Sequence, residues 1–398
     1  MKSPFPQDWK EYTIGDCLRR VEHPVEVDSD ALYTQIGIRS HGKGLFYKEP
    51  VTGELLGSKA VYWVEPDCFI LNIVFAWEQA IGKTTQAEVG MIGSHRFPMY
   101  KPVNNLIDID YLVYYLLTKR GTDILEAASP GGAGRNRTLG QDRFMKSRIV
   151  LPLLDEQQKI AKILSTQDKA IELQGRKIEE LKRFKKGCLE KMFPRKGQKV
   201  PEKRFPGFTD DWEQRKLREL AIFNPKAELP DTFEYVDLES VVGTEMLSHR
   251  TESKQSAPSR AQRLAQTGDL FYQTVRPYQK NNYLFEKPDK YYVFSTGYAQ
   301  MRPVVDGRFL LCLVQNDRFV KVVLDNCTGT SYPAINSNDL AEIDVYSPNN
   351  PQEQKQIGDF FKDLDNLIAL HQRKLEEMKK QKKALMQLLL TGIVRVQS

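Results

Sequence analysis

The chain has 398 residues, of which 40% are hydrophobic and 28% charged, a balance typical of globular proteins and long enough for two or three domains. Five scattered cysteines without a C-x-x-C pair and five histidines without H-x-x-x-H spacing argue against a disulfide framework and against a metal site. The net charge is +6, but the excess of Lys and Arg falls in two segments, 154–204 and 353–398, and the rest of the chain is net negative.

The first globular part, residues 1–152, contains short β-rich runs punctuated by Gly, Pro and Asn, with a helical run at 107–125. Its N-terminus lacks the apolar region of a secretory signal. Its most apolar window, 68–77, is too short to cross a bilayer and predicts a buried strand. We therefore expect a protein of the reducing cytoplasm.

A long helix is predicted at 153–194 because apolar residues recur there in alternating steps of three and four over about five heptads. The seam positions are Ile160, Leu164, Gln167, Ile171, Gln174, Ile178, Leu181, Lys185, Cys188 and Met192. Lys and Glu crowd both flanks of the seam, which favours a coiled coil; a helix lying on a globular core is the alternative.

A linker rich in Pro and Lys at 195–208 leads to a second globular part, 209–349, which again mixes β-rich runs with a helical run at 306–317. A second long helix is predicted at 350–392. Its seam positions are Ile357, Phe361, Leu364, Ile368, His371, Leu375, Met378, Lys382, Leu385 and Leu389.

The two long helices are copies of each other. From Glu156 onward, the first helix aligns without a gap with the sequence 197 positions later. Identical pairs include Glu156/Glu353, Gln157/Gln354, Asp168/Asp365, Lys182/Lys379, Lys185/Lys382 and Lys186/Lys383. An Asp-Trp pair, Asp8-Trp9 and Asp211-Trp212, marks the start of each copy. The chain therefore consists of two tandem α+β modules, each followed by a long helix.

No catalytic motif is evident. An N-P-P-aromatic motif of DNA methyltransferases is absent, and Gly82-Lys83-Thr84 resembles the end of a P-loop, but Trp77 stands where its first glycine is required. The sequence therefore predicts no catalytic residue, no metal and no cofactor in this chain.

Several polar loops have the composition of a DNA-binding surface. Arg recognises guanine edges and Asn recognises adenine, while the glycines at 131–134 permit close backbone approach. The candidate DNA-binding residues are Arg39, His41, Lys43, Lys83, Thr84, His95, Arg96, Arg135, Asn136 and Arg137 in the first copy, and Arg276, Tyr278, Lys280, Asn282, Ser331 and Tyr332 in the second. Taken singly, each loop is also explained as a solvated turn; the loops near 135 and 331 recur at matched places in the two copies.

The tandem arrangement, with E-Q-x-x-I-x-x-x-L opening each helix, resembles the specificity (S) subunit of bacterial Type I restriction-modification systems. The matched residues are Glu156, Gln157, Ile160 and Leu164, then Glu353, Gln354, Ile357 and Phe361. The strand GDLFYQTV at 268–275 is similar to a Gly-Asp strand of that family. In the first copy the nearest match is PDCFI at 66–70, which leaves the strand register there open.

The resemblance implies a non-catalytic subunit with an α+β fold. Its two target-recognition domains would each recognise one half of a bipartite DNA sequence in the major groove. Its two helices would pack as an antiparallel coiled coil with pseudo-two-fold symmetry. Two modification (adenine methyltransferase) subunits and restriction (ATPase/nuclease) subunits would be its partners, and S-adenosylmethionine, ATP and Mg²⁺ would belong to them. The alternative is a coiled-coil protein-interaction scaffold with no sequence-specific DNA role.

Overall fold

The computed structural model describes residues 5–57, 59–131, 137–287, 291–329 and 331–396, which divide into two units. Unit 1 comprises Met1–Gln174 and Lys374–Ser398, and unit 2 comprises Gly175–Arg373. The divisions fall inside the two long helices, so each unit combines one globular part with a segment of each helix. Over the described ranges, none of the helices has the length and apolar character needed to cross a membrane.

In the described part of the first copy, five short α-helices precede the long one. Its elements are β1 (Lys10–Thr13), α1 (Ile14–Cys17), β2 (Leu18–Val21), β3 (Leu32–Tyr33), β4 (Ile36–Ile38), β5 (Leu45–Tyr47), β6 (Val51–Thr52), α2 (Gly53–Leu56), β7 (Val61–Trp63), β8 (Phe69–Leu71), β9 (Ile81–Lys83), β10 (Ile92–Ser94), β11 (Met99–Pro102), α3 (Ile109–Leu116), α4 (Lys119–Ala128), α5 (Gln141–Lys146), β12 (Arg148–Leu151) and α6 (Leu154–Lys191).

The second copy repeats this order in its main parts. Its elements are β13 (Glu213–Lys216), α7 (Leu217–Leu220), β14 (Ala221–Phe223), β15 (Thr232–Val236), β16 (Val241–Val242), β17 (Glu245–Met246), β18 (Arg250–Ser253), β19 (Ala261–Leu264), β20 (Leu270–Gln273), β21 (Tyr283–Leu284), β22 (Tyr292–Ser295), β23 (Tyr298–Pro303), α8 (Gly307–Gln315), α9 (Asp317–Asp325), α10 (Ser337–Ala341), β24 (Asp344–Ser347) and α11 (Pro351–Leu390).

The main sheet has the same antiparallel strand order in both units, β2-β11-β8-β9 in unit 1 and β14-β23-β20-β21 in unit 2. A separate pair, β1–β12 or β13–β24, joins the start of each globular part to its end. The register also agrees, because Tyr100 lies opposite Phe69 and Arg20 just as Met301 lies opposite Leu270 and Phe223. The internal repeat therefore extends from the helices into the globular parts.

The Gly-Asp strand of the second copy has its counterpart at 66–70 in the first. Gly268 has a left-handed φ of 95°, and Asp67 has a φ of 55° at the equivalent position. The next residue, Asp269, is 1% exposed and accepts hydrogen bonds from Arg302 Nε at 2.9 Å and Nη2 at 3.0 Å. Cys68 takes the place of Asp269 in the first copy. The Gly-Asp pair is therefore a structural feature of the strand entry.

The units differ outside the main sheet. In unit 2, β18-β15-β22-β19 form a second four-stranded sheet that includes the parallel pair β15–β22. Phe271 of the main sheet stacks on Phe294 of this second sheet with ring centroids 3.6 Å apart. The described residues of unit 1 have two-stranded pairs instead, namely β3–β6, β4–β5 and β7–β10. The repeated framework thus carries two different outer layers.

Aspartate side chains cap the N-termini of the helices that follow the main sheet. Asp108 Oδ1 accepts a hydrogen bond from the amide of Tyr111 at 2.9 Å at the start of α3. Asp306 Oδ1 accepts one from Phe309 at 2.9 Å at the equivalent start of α8. A cap of this kind satisfies backbone amides that have no partner inside the helix, and it is worth about 1 kcal/mol.

The long helices run antiparallel within each unit, as predicted. In unit 1, Lys382 on α11 forms an ion pair with Asp168 on α6. In unit 2 the pair is reversed, and Lys185 on α6 binds Asp365 on α11. These residues are identical pairs of the repeat, so each unit uses the same contact with the helix roles exchanged. The predicted antiparallel packing of the helices is confirmed.

The predicted heptad seam is buried at about half of its positions and half-buried at the others. In unit 1, Ile160 and Leu164 are fully buried in one core with Leu389 and Leu390. In unit 2, a second core contains Ile357, Phe361, Met192 and Phe193. Each core also includes residues of the main sheet and of the helices that follow it. The seam therefore joins the helices to the globular parts as well as to each other.

A buried glutamine fixes each long helix to its own globular part. The side-chain amide of Gln157 accepts from the backbone N–H of Asp108 at 3.0 Å and donates to the carbonyl of Pro152 at 3.0 Å. Gln354 makes the two equivalent bonds, at 3.1 and 2.8 Å, with the second globular part. All four bonds go to main-chain atoms.

An arginine beyond the end of each long helix binds the glutamate at the start of the other. In unit 2, Arg204 of the linker donates to Glu353 at 2.7 and 2.8 Å, and the indole N–H of Trp212 donates to the same carboxylate at 3.2 Å. In unit 1, Arg395 of the C-terminal segment donates to Glu156 at 2.7 and 2.8 Å. Fork-shaped Arg–carboxylate pairs of this kind are geometrically specific. They give the linker and the C-terminal segment defined positions in the fold.

Candidate nucleic-acid interface

An aromatic ring and an arginine form the centre of the candidate surface in unit 1. Between β8 and β9 a short 3-10 turn (Ala76–Glu78) presents Trp77, whose indole N–H donates to the carbonyl of Val74 at 3.1 Å. The guanidinium of Arg137 lies over this ring, 5.4 Å from its centroid. Gln79 ends the turn in a left-handed conformation with φ 60°. The ring is thus fixed in place by the turn that carries it.

The hairpin loop between β4 and β5 is attached to this turn. The backbone amides of His41 and Gly42 donate to successive carbonyls of the turn at 2.8 and 2.9 Å. The loop presents the exposed side chains of Arg39, His41 and Lys43. Because Arg39 also donates from Nη1 to a main-chain carbonyl at 2.7 Å, its position is defined as well. Three of the predicted residues therefore lie on a loop that is bonded to the turn carrying Trp77.

The loop between β10 and β11 flanks the same turn. Ile73, just ahead of the turn, donates its amide to the carbonyl of Arg96 at 3.0 Å and accepts at its own carbonyl from Leu139 at 2.8 Å. The side chains of His95 and Arg96 are exposed. The segment that leads from Arg137 to Leu139 and the loop of Arg96 therefore meet on either side of one strand end.

The equivalent turn in unit 2 lies between β20 and β21 and spans Pro277–Gln279. Arg276 precedes it with a left-handed φ of 54°, and its guanidinium lies 4.4 Å from the ring centroid of Tyr332. The backbone amide of Arg276 donates to the carbonyl of Pro333 at 2.8 Å, which fixes the loop against the turn. Tyr278 is 50% exposed and Tyr332 is 63% exposed.

The turn between β8 and β9, or between β20 and β21, is the central turn of its unit. The two units therefore share a cation–aromatic pair that joins the central turn to the loop before the short helix α5 or α10. The partners are exchanged: Trp77 is on the turn and Arg137 on the loop in unit 1, whereas Arg276 is on the turn and Tyr332 on the loop in unit 2. An arginine stacked on an aromatic face keeps its N–H groups in the guanidinium plane, where they suit the acceptors of a guanine edge or a phosphate.

Two of the predicted residues are in the core, which corrects their assignment as DNA contacts. Thr84 is fully buried, and its hydroxyl accepts from the amide of Cys68 at 2.9 Å and donates to the carbonyl of Glu65 at 2.6 Å. Asn282 is 1% exposed, and its Oδ1 accepts from the amide of Gln273 at 2.9 Å. Both side chains hold neighbouring strands together. A polar residue after a strand does not reveal from sequence which face it occupies.

Two predicted lysines are held by neighbouring carboxylates. Lys83 forms an ion pair with Asp110 at 2.8 Å. Lys280 donates to the carbonyl of Gln315 at 2.9 Å and is paired with Asp317. Both ammonium groups lie at the surface but are already engaged within the protein.

Three predicted residues are left, one exposed and two outside the described ranges. Ser331 is exposed beside Tyr332. Arg135 and Asn136 lie outside the residues that the structure describes. Trp77 was not predicted from the sequence, because the apolar stretch 68–77 was predicted as one buried strand, whereas β8 ends at Leu71 and Trp77 lies on the 3-10 turn that follows.

The described residues contain no group of three or more His, Cys, Asp or Glu side chains placed to hold a metal ion. All five cysteines are free thiols. Burial raises the pKa of both Cys17 and Cys68 to about 11, which keeps these thiols protonated and unreactive near neutral pH.

Comparison with known proteins identifies the family. The model of the Type I restriction modification DNA specificity domain matches residues 40–183 and 209–380, one match in each copy and most of the chain in total. The Type I restriction enzyme MjaVIII specificity subunit of Methanocaldococcus jannaschii is 24% identical over 99% of this chain and 94% of its own length. The putative MjaX specificity subunit of the same organism is 25% identical over 75% of this chain and 71% of its own length.

Solved structures show the same fold. The HsdS subunit from Thermoanaerobacter tengcongensis covers 98% of both chains with a TM-score of 0.52 and 16% identity. The S subunit from M. genitalium gives a TM-score of 0.56 at 14% identity, covering 98% of this chain and 99% of its own. The predicted resemblance and the predicted fold class are confirmed, and a scaffold without a DNA role is not favoured. The chain belongs to the Type I restriction-modification DNA specificity family, whose members determine the DNA sequence to be recognised while catalysis resides in other subunits.

Proposed function

We propose that each unit recognises one half of a bipartite double-stranded DNA target through its central turn and the loops attached to it. The recognition domains are residues 1–152 and 209–349. The helices, 153–194 and 350–392, and the linker, 195–208, support them. In unit 1 the base-facing surface consists of Trp77, Arg137 and the exposed cations beside them. In unit 2 it consists of Arg276, Tyr278, Tyr332 and Ser331.

The observation that carries this proposal is the recurrence of the cation–aromatic pair at one place in two units whose outer layers differ. A packing feature of the core would keep its residue types along with the framework. Here the pair stays at the same location, but the arginine and the aromatic residue exchange places between turn and loop. This suits two surfaces that recognise different half-sites. Direct recognition needs donors such as Arg at the groove edge, held by a rigid scaffold.

The complex proposed around this chain contains two modification (methyltransferase) subunits and restriction (ATPase/nuclease) subunits, and it works on DNA in the cytoplasm. S-adenosylmethionine, ATP and Mg²⁺ act in those partners. A complex-assembly structure of a type I R-M system is among the solved structures similar to this chain, with a TM-score of 0.60 at 16% identity. That likeness supports the fold needed for such an assembly.

The test is methylation mapping in cells that carry the system with altered recognition loops. We expect Arg276→Ala with Tyr332→Ala to relax or abolish recognition of one half-site, and Arg137→Ala with Trp77→Ala to affect the other half-site only. Removal of a side chain that binds a base should cost about 1–3 kcal/mol in binding of the cognate duplex. Exchange of residues 1–150 with those of another family member should likewise replace a single half-site.

Matched controls are arginines on other elements. Arg148→Ala removes a 74% exposed side chain on β12 paired with Glu11, and Arg218→Ala removes a 59% exposed side chain on α7 paired with Glu342. Both should leave the methylated motif unchanged. If the loop variants alter both half-sites together, or alter neither, the assignment of one half-site to each unit is wrong.

A further inference from the structure

A lysine-lined cavity lies beside the turn between β20 and β21 in unit 2. Its volume is about 430 Å³, and it opens between α6 and the turn that follows β20. Its lining includes four lysines, Lys182, Lys185, Lys186 and Lys280. Glu190 and Asp317 contribute two carboxylates, so the cavity walls are net positive. A concave surface with several ammonium groups suits a phosphate, whose oxygens accept from lysine.

The lysines outnumber the carboxylates in the cavity lining, and each is also ion-paired: Lys182 with Glu179 and Lys185 with Asp365, both acids outside the lining, and the other two with Asp317. Asp317 forms one ion pair with Lys186 of the helix, at 3.2 Å, and another with Lys280 of the turn, so two cations share one carboxylate. Hydrogen bonding from Lys280 lowers the pKa of this carboxyl, with the ion pair to Lys186 adding to the effect. Lys182 and Lys186 keep 49% and 64% of their side chains exposed. The helix and the turn therefore present their cations to the same space.

The internal repeat places the same lysines in unit 1. The counterparts of the three helix lysines are Lys379, Lys382 and Lys383. Lys382 is anchored by Asp168 as Lys185 is anchored by Asp365. The anchored lysine of each triplet is thus positioned by the helix pair, while its two neighbours project from the same helix face.

The turn between β8 and β9 in unit 1 differs at two nearby positions from the turn between β20 and β21 in unit 2. In unit 1 Gln79 occupies the place of Lys280 and donates to the carbonyl of Leu117 at 3.4 Å, as Lys280 donates to Gln315. The place of Asp317, the first residue of the next helix, is taken by Lys119. The turn of unit 1 thus has one lysine fewer, and an acid beside it is replaced by a lysine. Lys119 is exposed on its side chain and paired with Asp123 on its own helix, so unit 1 also has a lysine beside this turn.

We infer that this face of each long helix, with the adjoining turn, binds phosphates of the DNA backbone next to the bases that the loops recognise. The inference rests on the proposed function and adds the backbone contact to it. Lysine acts as a point charge toward phosphate and carries no base preference, so these contacts supply affinity and position while the loops supply specificity. It explains why the repeated helices carry the positive charge of a chain that is net negative elsewhere.

The experiment compares DNA binding by the complete complex with its modification subunits, using Lys182→Gln with Lys186→Gln. Lys185 is left intact because it joins the helices. Binding is measured on the target duplex and on an unrelated duplex between about 50 and 200 mM salt. We expect both affinities to fall by the same factor, and the slope of log K against log salt to become shallower by about 0.9 for each phosphate that the variant no longer neutralises.

The control removes the same charge from the linker, by Lys196→Gln with Lys199→Gln, both exposed and outside the cavity. It should leave the salt slope unchanged. An unchanged slope in the helix variant, weaker binding of the target duplex alone, or failure of that variant to assemble with the modification subunits would each overturn the inference. Failure of the wild-type complex to prefer its target over the unrelated duplex would instead overturn the proposed function.

Discussion

Removal of the Arg204 side chain should destabilise unit 2 more than any surface ion pair does. Glu353 is 1% exposed on its side chain and Arg204 is 11% exposed, so Arg204→Ala leaves a buried carboxylate with only the Trp212 indole as donor. Breaking a buried pair by removal of one partner costs about 3–5 kcal/mol, because an uncompensated charge remains. We expect a decrease of that size in the opening free energy of the segments that contain these residues.

Three further variants give this prediction a scale. Arg395→Ala should cost about 1–3 kcal/mol in unit 1, because the pair with Glu156 is more exposed, at 30% and 9%. Arg218→Ala removes a half-exposed pair and should cost no more than about 1 kcal/mol. Adding Glu353→Gln to Arg204→Ala should recover part of the stability, since no buried charge is then left without a partner.

Hydrogen exchange followed by mass spectrometry is the appropriate assay, because it reports opening free energies segment by segment in a chain with two units. Peptides around 204–220 and 351–360 should lose protection in Arg204→Ala, while those around 8–20 should not. Equal decreases in Arg204→Ala and Arg218→Ala would show that the buried pair does not hold the linker in place. Absence of recovery in the double variant would show that the uncompensated charge is not the cause.

Two further predictions concern titration and thiol reactivity. The pKa of Asp317 is held below its ordinary value of 3.8, chiefly by the hydrogen bond from Lys280, so its stabilising contribution is present above that value and is lost as pH falls through the lower folded pKa. Asp317→Asn should therefore flatten the acid limb of unit 2 stability below about pH 4, measured by exchange in the same peptides; an unaltered limb would refute this. At about pH 8 a maleimide should modify the half-buried Cys188 well before Cys17 and Cys68, whose pKa burial raises to about 11. Equal modification rates by peptide mapping would contradict the buried, protonated state.

The helices and the tandem organisation were accessible from sequence because their signals are periodic and repeated. Apolar residues at heptad spacing predicted the buried seam, and Ile160, Leu164, Ile357 and Phe361 are each at most 2% exposed. The gapless alignment of the two helices predicted two tandem copies, and residues at equivalent positions of the repeat make equivalent contacts in the structure. The pairs of Asp168 and Asp365 with lysines of the opposite helix agree with this.

The loops were harder, because composition does not determine which way a polar side chain points. Thr84 and Asn282 follow or begin strands in polar sequences, yet their hydrogen-bonding groups are used inside the sheet. Trp77 was overlooked because it belongs to an apolar run, and only the 3-10 turn after β8 places its ring beside Arg137. Such outcomes depend on strand register, which one sequence does not specify when the strands are only three or four residues long.

The arginine–glutamate pairs could not be predicted for a different reason. Arg204 and Glu353 are separated by 149 positions, and Arg395 and Glu156 by 239. No local pattern connects them. The two arginines follow the long helices at different distances, so the repeat alignment also misses their equivalence. Only the folded chain shows that Arg204-Phe205 and Arg395-Val396 perform the same task in the two units.

The hydrogen bonds of Gln157 and Gln354 have a consequence for how such a protein can acquire a new specificity. Each glutamine amide binds main-chain N–H and C=O groups of the globular part, which every sequence possesses. These hydrogen bonds therefore do not depend on the side chains of that globular part. At this joint an incoming domain has to present one N–H and one carbonyl at the right spacing, in addition to apolar side chains that pack against the buried residues of the helix. Because these bonds go to main-chain atoms, the recognition surfaces can diverge in sequence while the glutamine of the helix keeps the same partners.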